Sequence, residues 1–239
     1  MSGAVAIFVK TPGYSPIKTR LALELGEARA MQFHQLSAAA VASVAQRAQG
    51  LHGMSVYWAV AEAEALAMWT GFPSIAQEPG GLGERMARVH AQLVQRHGFG
   101  ILIGADTPQL ATHQLEQARQ WLSASAARLA LGRAQDGGFW LFGANMAPPL
   151  PIWNAVEYSA AGTADALRTG MDELGAWHEL PVMSDADHAH DLPGVLRALD
   201  ALPGATPEQQ ALAAWIHGLG PRLPAPDASH PTAATPPFT

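Results

Sequence analysis

Basic side chains follow the first apolar run of the chain. The run from Ala4 to Lys10 enters a turn rich in proline and glycine, and the chain leaves this turn through Lys18 and Arg20. An unbroken apolar run of this kind is typical of a buried parallel strand, and open α/β sheets bind ligands at the carboxyl edge of their strands. The pattern favours an anion site in this loop, although basic residues after a strand are also common on solvated surfaces.

The loop does not match a Walker A motif. Four residues separate Gly13 from Lys18, but that motif needs a glycine directly before its lysine and this chain has Ile17 there. Pro16 also lacks the amide N–H that a phosphate cradle would use. Phosphate would therefore be held by side chains, mainly Lys18 and Arg20, since a guanidinium can bind two oxygens at once.

Carboxylates follow two later segments. Asp106 ends the apolar run that begins at Ile101, and Asp185 and Asp187 belong to an acidic cluster before a late helix. Carboxylates that meet at a polyphosphate form the hard oxygen site that Mg²⁺ or Mn²⁺ prefers. Both sets also have an ordinary interpretation, because an Asp before Thr-Pro is commonly a turn residue and a late cluster with Asp191 commonly caps a helix.

Two hydrolase alternatives are considered on the same residues. His188 and His190, with aspartates beside them, could form a transition-metal site of a metallohydrolase. Their spacing fits none of the specific hydrolase motifs. Ser159 is not surrounded by a Gly-x-Ser-x-Gly elbow, which disfavours a serine hydrolase.

Composition limits the class of protein. The chain has 239 residues, 49% of them hydrophobic, which predicts one domain over residues 1–219 and a Pro/Ala-rich, poorly ordered tail over residues 220–239. A net charge of −6 with 14% charged residues argues against a nucleic-acid surface. The sequence has no cysteine, which excludes disulfides and thiolate ligands. We expect a cytoplasmic protein without a membrane span, because no signal pattern and no run of roughly 20 apolar residues is visible.

Strands alternate with helices along the chain, which predicts an α/β fold with a mostly parallel sheet. The predicted strands lie at 4–10, 54–60, 101–106, 128–132 and 139–143, with a weak edge strand at 177–180. The predicted helices lie at 26–50, 61–69, 84–97, 112–124, 158–174, 194–202 and 207–219. A glycine-rich loop at 77–83 feeds the third of these helices, and free N–H groups at such a helix start favour anions.

Taken in order, these pieces resemble the DUF2064 family, also called the radical-SAM/selenodomain-associated transferase 1 family and regarded as glycosyltransferase-like. The resemblance extends from about Ala4 to about Leu202. Its motifs are Phe8–Pro12, Lys18–Ala22, Gly83–Met86, Gly104–Pro108, Asp136–Gly138, Tyr158–Ser159, and Asp185–Asp187 with Asp191–Leu192.

The resemblance implies a GT-A, nucleotide-diphospho-sugar transferase fold, with a Rossmann-like sheet flanked by helices. By that resemblance Lys18 and Arg20 match the basic residues of the nucleotide-phosphate loop, and Asp106 matches a metal-holding carboxylate. Asp187, with Asp185 beside it, matches the late metal-facing position. The turn Asp136-Gly137-Gly138 matches the one that lines the acceptor pocket. Further contacts with nucleotide or substrate are expected at Lys10, Thr19, Gly83, Arg85, Gly137, Gly138 and Ser159.

The chain departs from the family pattern at four positions. Gly81 stands where an aspartate is common, Thr107 where cysteine is usual, and Tyr158 where tryptophan is usual. His188 replaces a usual threonine beside the metal-facing position. The missing carboxylate and the changed neighbour also permit a protein that keeps the fold and binds nucleotides without catalysis.

Together these patterns predict a nucleotide-dependent transferase that uses Mg²⁺ or Mn²⁺. The basic first loop slightly favours nucleotidyl transfer to a small phosphorylated acceptor, because Lys18 and Arg20 would hold a leaving pyrophosphate. The alternative is glycosyl transfer from a nucleotide-diphospho-sugar, in which Asp136 would deprotonate an acceptor hydroxyl. The predicted catalytic set is therefore Lys18, Arg20, Asp106 and Asp136.

Overall fold

A seven-stranded sheet organises the computed structural model, which describes residues 2–220. The strands are β1 (Ala4–Val9), β2 (Ser55–Val60), β3 (Ser74–Ala76), β4 (Gly100–Gly104), β5 (Arg128–Ala134), β6 (Phe139–Ala144) and β7 (Ala176–Met183). Their order is β3-β2-β1-β4-β6-β5-β7. All neighbours run parallel except β6, which is antiparallel to β4 and β5. The predicted mostly parallel α/β sheet is confirmed.

Eight α-helices cover the sheet within the described part of the chain. They are α1 (Thr19–Leu25), α2 (Glu27–His52), α3 (Leu82–His97), α4 (Thr112–Leu122), α5 (Leu150–Asn154), α6 (Thr163–Gly170), α7 (Leu192–Asp200) and α8 (Pro207–Leu219). Short 3₁₀ helices lie at Ala63–Met68, Asp172–Leu174 and Ala189–Asp191. No helix over residues 2–220 is long and apolar enough to cross a membrane.

The central strand β1 is buried on both of its faces. Val5 and Ile7 pack with Val41 of α2 on one face, whereas Ala4 and Ala6 pack on the other face in a cluster that includes residues of α3. A strand covered by helices on both sides has no polar face, which is why β1 reads as a continuous apolar run. A third cluster joins α1, α2, α7 and α8, and it anchors the start of α1 near the end of β1.

Three secondary-structure predictions differ from the structure. The helix predicted at 158–174 begins only at Thr163, because Ser159 has a left-handed φ of 62° that no helix accommodates. Strand β3 and helices α1 and α5 were missed, since segments of three to seven residues are too short to show a clear period. The segment predicted as a helix at 61–69 is a 3₁₀ helix. The predicted tail lies outside the described residues except for Gly220, and the single-domain prediction for residues 1–219 stays a prediction.

Buried His90 makes the stability of this fold depend on pH. His90 of α3 is fully buried, its Nε2–H donates to the Gly100 carbonyl at 3.2 Å, and burial lowers its pKa to about 4. Between pH 6.5 and pH 4, His90 is therefore protonated in the unfolded state but not in the folded state. The free energy of unfolding falls as pH is lowered through this range. We expect this group to account for about 3 kcal/mol of that loss.

The variant His90→Gln tests this expectation, because an amide can still donate to the Gly100 carbonyl but does not titrate. Urea unfolding at pH 7 and at pH 4 should show a smaller loss of unfolding free energy for the variant than for the wild type. An identical loss in both proteins would show that His90 does not control this pH dependence.

Candidate active site

Four loops meet at one edge of the sheet and enclose a cleft of about 580 Å³. They follow β1, β4 and β7, and the fourth is the turn between β5 and β6. The carboxyl ends of parallel strands share one edge, and a ligand site is expected there. Because β6 is antiparallel, its turn from β5 also falls on this edge. The cleft therefore draws polar side chains from positions more than 160 residues apart in sequence.

Lys18 lies at the centre of this edge. Its side chain is only 4% exposed, and its Nζ lies 2.8 Å from Asp187 Oδ1 and 3.2 Å from Asp106 Oδ2. Lys18 is the residue before α1, with a left-handed φ of 45° that is uncommon for a residue with a side chain. A backbone held in that region is typical of functional sites. The loop thus directs one buried ammonium group between two carboxylates.

The charges in this cluster hold one another in place. Burial alone lowers the pKa of Lys18, but the carboxylates of Asp106 and Asp187 outweigh it and raise the pKa to about 12. Burial raises the pKa of Asp187, whereas Lys18 and the nearby Arg20 more than compensate and lower it. Arg20 lies 3.5 Å from Asp187 and is 66% exposed, so it faces the cleft entrance. Lys18 and Asp187 are therefore both ionised at neutral pH.

Asp106 has one oxygen without a partner. Its buried Oδ1 makes no hydrogen bond within the described structure. The nearest candidate, His34 Nδ1, lies 4.0 Å away, and the His34 Nε2–H donates to the Lys10 carbonyl at 3.0 Å. Burial lowers the pKa of His34, so its ring is neutral. A buried carboxylate oxygen with a free lone pair is the kind of donor that Mg²⁺ and Mn²⁺ prefer. Asp106, Asp185 and Asp187 are not, however, among the described residues whose ligand atoms lie within 4.8 Å of one another.

The turn between β5 and β6 places a further carboxylate at the cleft. Asp136 Oδ1 accepts a 2.8 Å hydrogen bond from the Gly138 N–H. Gly137 has a left-handed φ of 89°, and a Cβ there would lie 1.8 Å from the Ala161 carbonyl oxygen, so only glycine fits. The turn packs against the first turn of α6, where the Ala164 N–H donates to the Gly137 carbonyl at 2.9 Å. Asp136 is therefore held rigidly.

A second cavity of about 340 Å³ adjoins the first cleft. It shares Asp106, Asp136 and Asp187 with the first cleft and adds Asp185. Most of the rest of its wall is aromatic or apolar, with Thr107, Ser159 and Thr163 as polar members; the large apolar and aromatic side chains are Phe8, Leu82, Met86, Leu102, Ile103, Phe139, Trp140 and Tyr158. The carboxylates thus lie at the junction of two cavities.

Most of the predicted site residues line these cavities. The first cleft is lined by Lys10, Lys18, Thr19, Arg20, Arg85, Asp106, Asp136, Ser159 and Asp187, and the second adds Gly138 and Asp185. Gly83 and Gly137 line neither cavity, and their contact with a ligand stays a prediction. A Cβ on Gly83 would lie 2.7 Å from the Trp153 carbonyl oxygen, so this glycine permits close packing of α3 on α5.

Sequence reasoning missed the residues that hold the first loop. Glu62 accepts hydrogen bonds from the Thr11 N–H at 2.8 Å and from the Ser15 hydroxyl. The Trp69 indole N–H donates to the Thr11 hydroxyl at 2.9 Å. Glu62 comes two residues after β2, so the rule that strand ends carry functional polar groups could have found it. Nothing in the sequence pattern points to Trp69.

Residues of the late acidic segment have different roles. Asp191 Oδ2 accepts from the N–H groups of Asp187 and His188 at 3.0 and 2.7 Å, as a capping residue does. His188, His190 and Glu24 offer ligand atoms within 4.8 Å of one another. They line neither cavity. The histidine alternative for a metal site therefore gains Glu24, a ligand that the sequence did not indicate, but it lies apart from the carboxylates at the cleft.

Comparisons with solved structures define the class of fold. The chain is similar to a crystal structure from Desulfovibrio desulfuricans G20 that is provisionally named a nucleotide-diphospho-sugar transferase, with a TM-score of 0.79, 21% identity, and coverage of 91% of this chain and 96% of that one. It is also similar to a cytidylyltransferase from Leptospira borgpetersenii serovar Hardjo-bovis (strain JB197), with a TM-score of 0.52, 11% identity, and coverage of 97% and 100%. The expected GT-A type of fold is confirmed.

The family follows from the sequence. Residues 40–160 match the family model described as "Uncharacterized protein conserved in bacteria (DUF2064)", and the chain belongs to that family. No curated protein matches the chain in sequence.

Asp185 gives a prediction about stability. Its burial, together with the charges of Asp136 and Asp187, raises its pKa to about 6. A carboxyl with a raised pKa in the folded state costs stability above that pKa, and the cost vanishes below its ordinary value of 3.8. The variant Asp185→Asn should raise the unfolding free energy at pH 7 by about 1–2 kcal/mol, allowing for partial exposure.

Urea unfolding at pH 7 and pH 3.5 measures this gain, which should be absent at the lower pH. Asp200→Asn, at an exposed carboxylate on α7, serves as the control and should change stability little at either pH. A destabilised Asp185→Asn protein at pH 7 would contradict the proposed repulsion among the carboxylates.

Proposed function

We propose that this protein is a nucleotide-dependent transferase whose donor binds in the cleft around Lys18. The observation that carries the proposal is the convergence of Lys18, Asp106 and Asp187 at the ligand-binding edge of the sheet. The class of the structural relatives supports it, since a transferase name accompanies both of them. Their identity is low enough that they inform the fold, and the site itself carries the chemistry.

The charges of the cleft suit a polyphosphate. Four cationic side chains line it, namely Lys10, Lys18, Arg20 and Arg85, against the three carboxylates Asp106, Asp136 and Asp187. Lys18 is already paired with two of these carboxylates. A divalent ion held by Asp106, Asp185 and Asp187 would neutralise charge on the phosphates. Lys18, Arg20 and Arg85 would then orient the donor by charge-assisted hydrogen bonds.

Two reactions are compatible with this donor site. In nucleotidyl transfer, Lys18 and Arg20 hold a leaving pyrophosphate while an acceptor phosphate attacks the α-phosphorus. In glycosyl transfer, the same residues hold a leaving nucleoside diphosphate and Asp136 takes the proton of an acceptor hydroxyl. The basic loop supports both reactions, and the position of Asp136 at the junction of the cavities supports the second.

Donor binding tests the proposal. Thermal shift with CTP, GTP, UDP-sugars and GDP-sugars, each with and without Mg²⁺, should show stabilisation by at least one of them. Stabilisation by triphosphates alone would exclude the sugar-donor reaction. Lys18→Met should weaken binding by about 10–100-fold, because it removes a charged partner of the phosphates. Arg85→Met should weaken it by a smaller factor, since that side chain is only partly buried and its Nε–H already donates to the Gly80 carbonyl.

Arg96→Met is the matched control for Arg85→Met. It makes the same change on the same helix, α3, but near the far end of that helix and outside both cavities. Its nucleotide affinity should equal that of the wild type. If the protein bound none of these nucleotides, the proposed function would be wrong. Binding without release of a nucleoside diphosphate or pyrophosphate would favour a non-catalytic nucleotide-binding protein.

Metal binding distinguishes the two candidate cation sites. Titration with Mn²⁺, followed by the electron paramagnetic resonance of the free ion, should show that Asp106→Asn weakens binding by at least about tenfold. His188→Ala should leave Mn²⁺ binding unchanged, because imidazole is not needed in an oxygen site. The opposite result would place the ion at Glu24, His188 and His190 instead.

A further inference from the structure

The second cavity has an unusual distribution of charge. Four carboxylates line it, from Asp106, Asp136, Asp185 and Asp187. Among residues 2–220, no Lys, Arg or His side chain contributes to its wall. The adjoining cleft, in contrast, is lined by four cationic residues and His34. The two cavities therefore share three carboxylates but differ in the cationic side chains that could bind an anion.

An acceptor phosphate would find no counter-charge in the second cavity. Lys18 contributes one positive charge at the junction, and a divalent ion would add two. Four carboxylates and the phosphates of the donor outweigh these three charges. A phosphate or carboxylate brought into the cavity would lose hydration and gain no partner. An uncharged or cationic group would instead find acceptors for its hydrogen bonds.

The remaining wall is mainly apolar and aromatic, and its polar side chains are the uncharged hydroxyls of Thr107, Ser159 and Thr163. Phe139 and Trp140 come from β6, Met86 from α3, and Tyr158 from the turn before α6. The Trp140 indole N–H donates to the Pro181 carbonyl at 3.0 Å, and the Tyr158 hydroxyl donates to the Trp153 carbonyl at 3.0 Å. The polar atoms of these two side chains are thus used within the protein, so both rings offer a ligand their apolar surfaces. Such a wall recognises a flat or apolar molecule.

We propose that the second cavity binds the acceptor, and that this acceptor is an uncharged or cationic molecule with an apolar part and a hydroxyl group, not a phosphorylated one. This inference rests on the proposed transferase function. It favours the glycosyl reaction over transfer to a phosphate, and so revises the preference drawn from the basic loop. The carboxylates at the junction of the cavities face the hydroxyl, and the aromatic wall holds the apolar part.

The reaction would transfer the donor sugar from the diphosphate to the acceptor hydroxyl. The acceptor oxygen forms a bond to the anomeric carbon of the donor sugar, and the bond from that carbon to the diphosphate oxygen breaks. The electron pair of the broken bond leaves with the nucleoside diphosphate, which Lys18 and Arg20 stabilise. The hydroxyl proton passes to Asp136, which lines both cavities.

Three probes that share a benzyl group and differ in their polar group test the charge preference, namely benzyl alcohol, benzylamine and benzyl phosphate. Ligand-observed NMR on the full chain measures their binding, with excess pyrophosphate and Mg²⁺ present to occupy the first cleft. The alcohol and the amine should bind, and the phosphate should bind at least about tenfold more weakly, since like charges repel in a partly dry site. Equal or tighter binding of the phosphate, or binding of none of the probes, overturns the proposal.

Variants at Ala160 assign this preference to the second cavity. Ala160 lines the second cavity and not the first. Ala160→Lys adds a cation and should reverse the order in favour of the phosphate. Ala160→Met adds a chain of comparable length without charge and should keep the wild-type order. If the two variants act alike, the cavity charge does not set the preference and the proposal fails.

The nucleotide panel separates the two failures. Nucleotide binding with a preference for benzyl phosphate would overturn the acceptor class and leave the transferase proposal standing. Probes that follow the expected order without any nucleotide binding would overturn the transferase and keep the charge selection. Both Ala160 variants should bind nucleotides as the wild type does, which shows that they fold.

Discussion

The contact on which the site depends is the buried Lys18 ammonium group between Asp106 and Asp187. Each carboxylate comes from a different loop at the end of a different strand, and each would repel the other without the cation. A buried charge of this kind is tolerated only when it is fully paired. The pairing therefore fixes three loops relative to one another, and the cleft and the second cavity both take their shape from it.

The same contact lies between two parts of the site that differ in charge. Cationic side chains from the first loop and α3 lie on one side of the carboxylates, and apolar rings from β6 and the turn before α6 lie on the other. In the proposed reaction, this division would separate a donor with phosphates from an acceptor without them. Asp185 contributes to the same division, because the surrounding negative charge and its burial raise its pKa to about 6. Unfavourable burial and repulsion of a carboxylate are typical of sites selected for function rather than for stability.

Much of the fold could be predicted from local pattern. The strand β1, the helices α2 and α3, and the late helix α8 each carry an apolar period or run that leaves little choice of structure. Very short elements such as β3 could not be predicted, because three residues carry no period. Ser159 could not be predicted either, since its left-handed backbone depends on the segment that packs around it.

The sequence by itself determined the identity of the chemical groups and the strand ends that carry them. Lys18 and Asp106 could be listed because each follows an apolar run, and parallel strands present their carboxyl ends at one edge. Asp187 was found in an acidic cluster before a helix, and Asp136 through the family resemblance. Only the tertiary structure decided what these groups do to one another. Pairing a cation with two carboxylates, and lining the second cavity without a Lys, Arg or His from residues 2–220, depends on distances between residues far apart in the chain. A linear pattern does not encode those distances, because packing of helices on both faces of the sheet sets them.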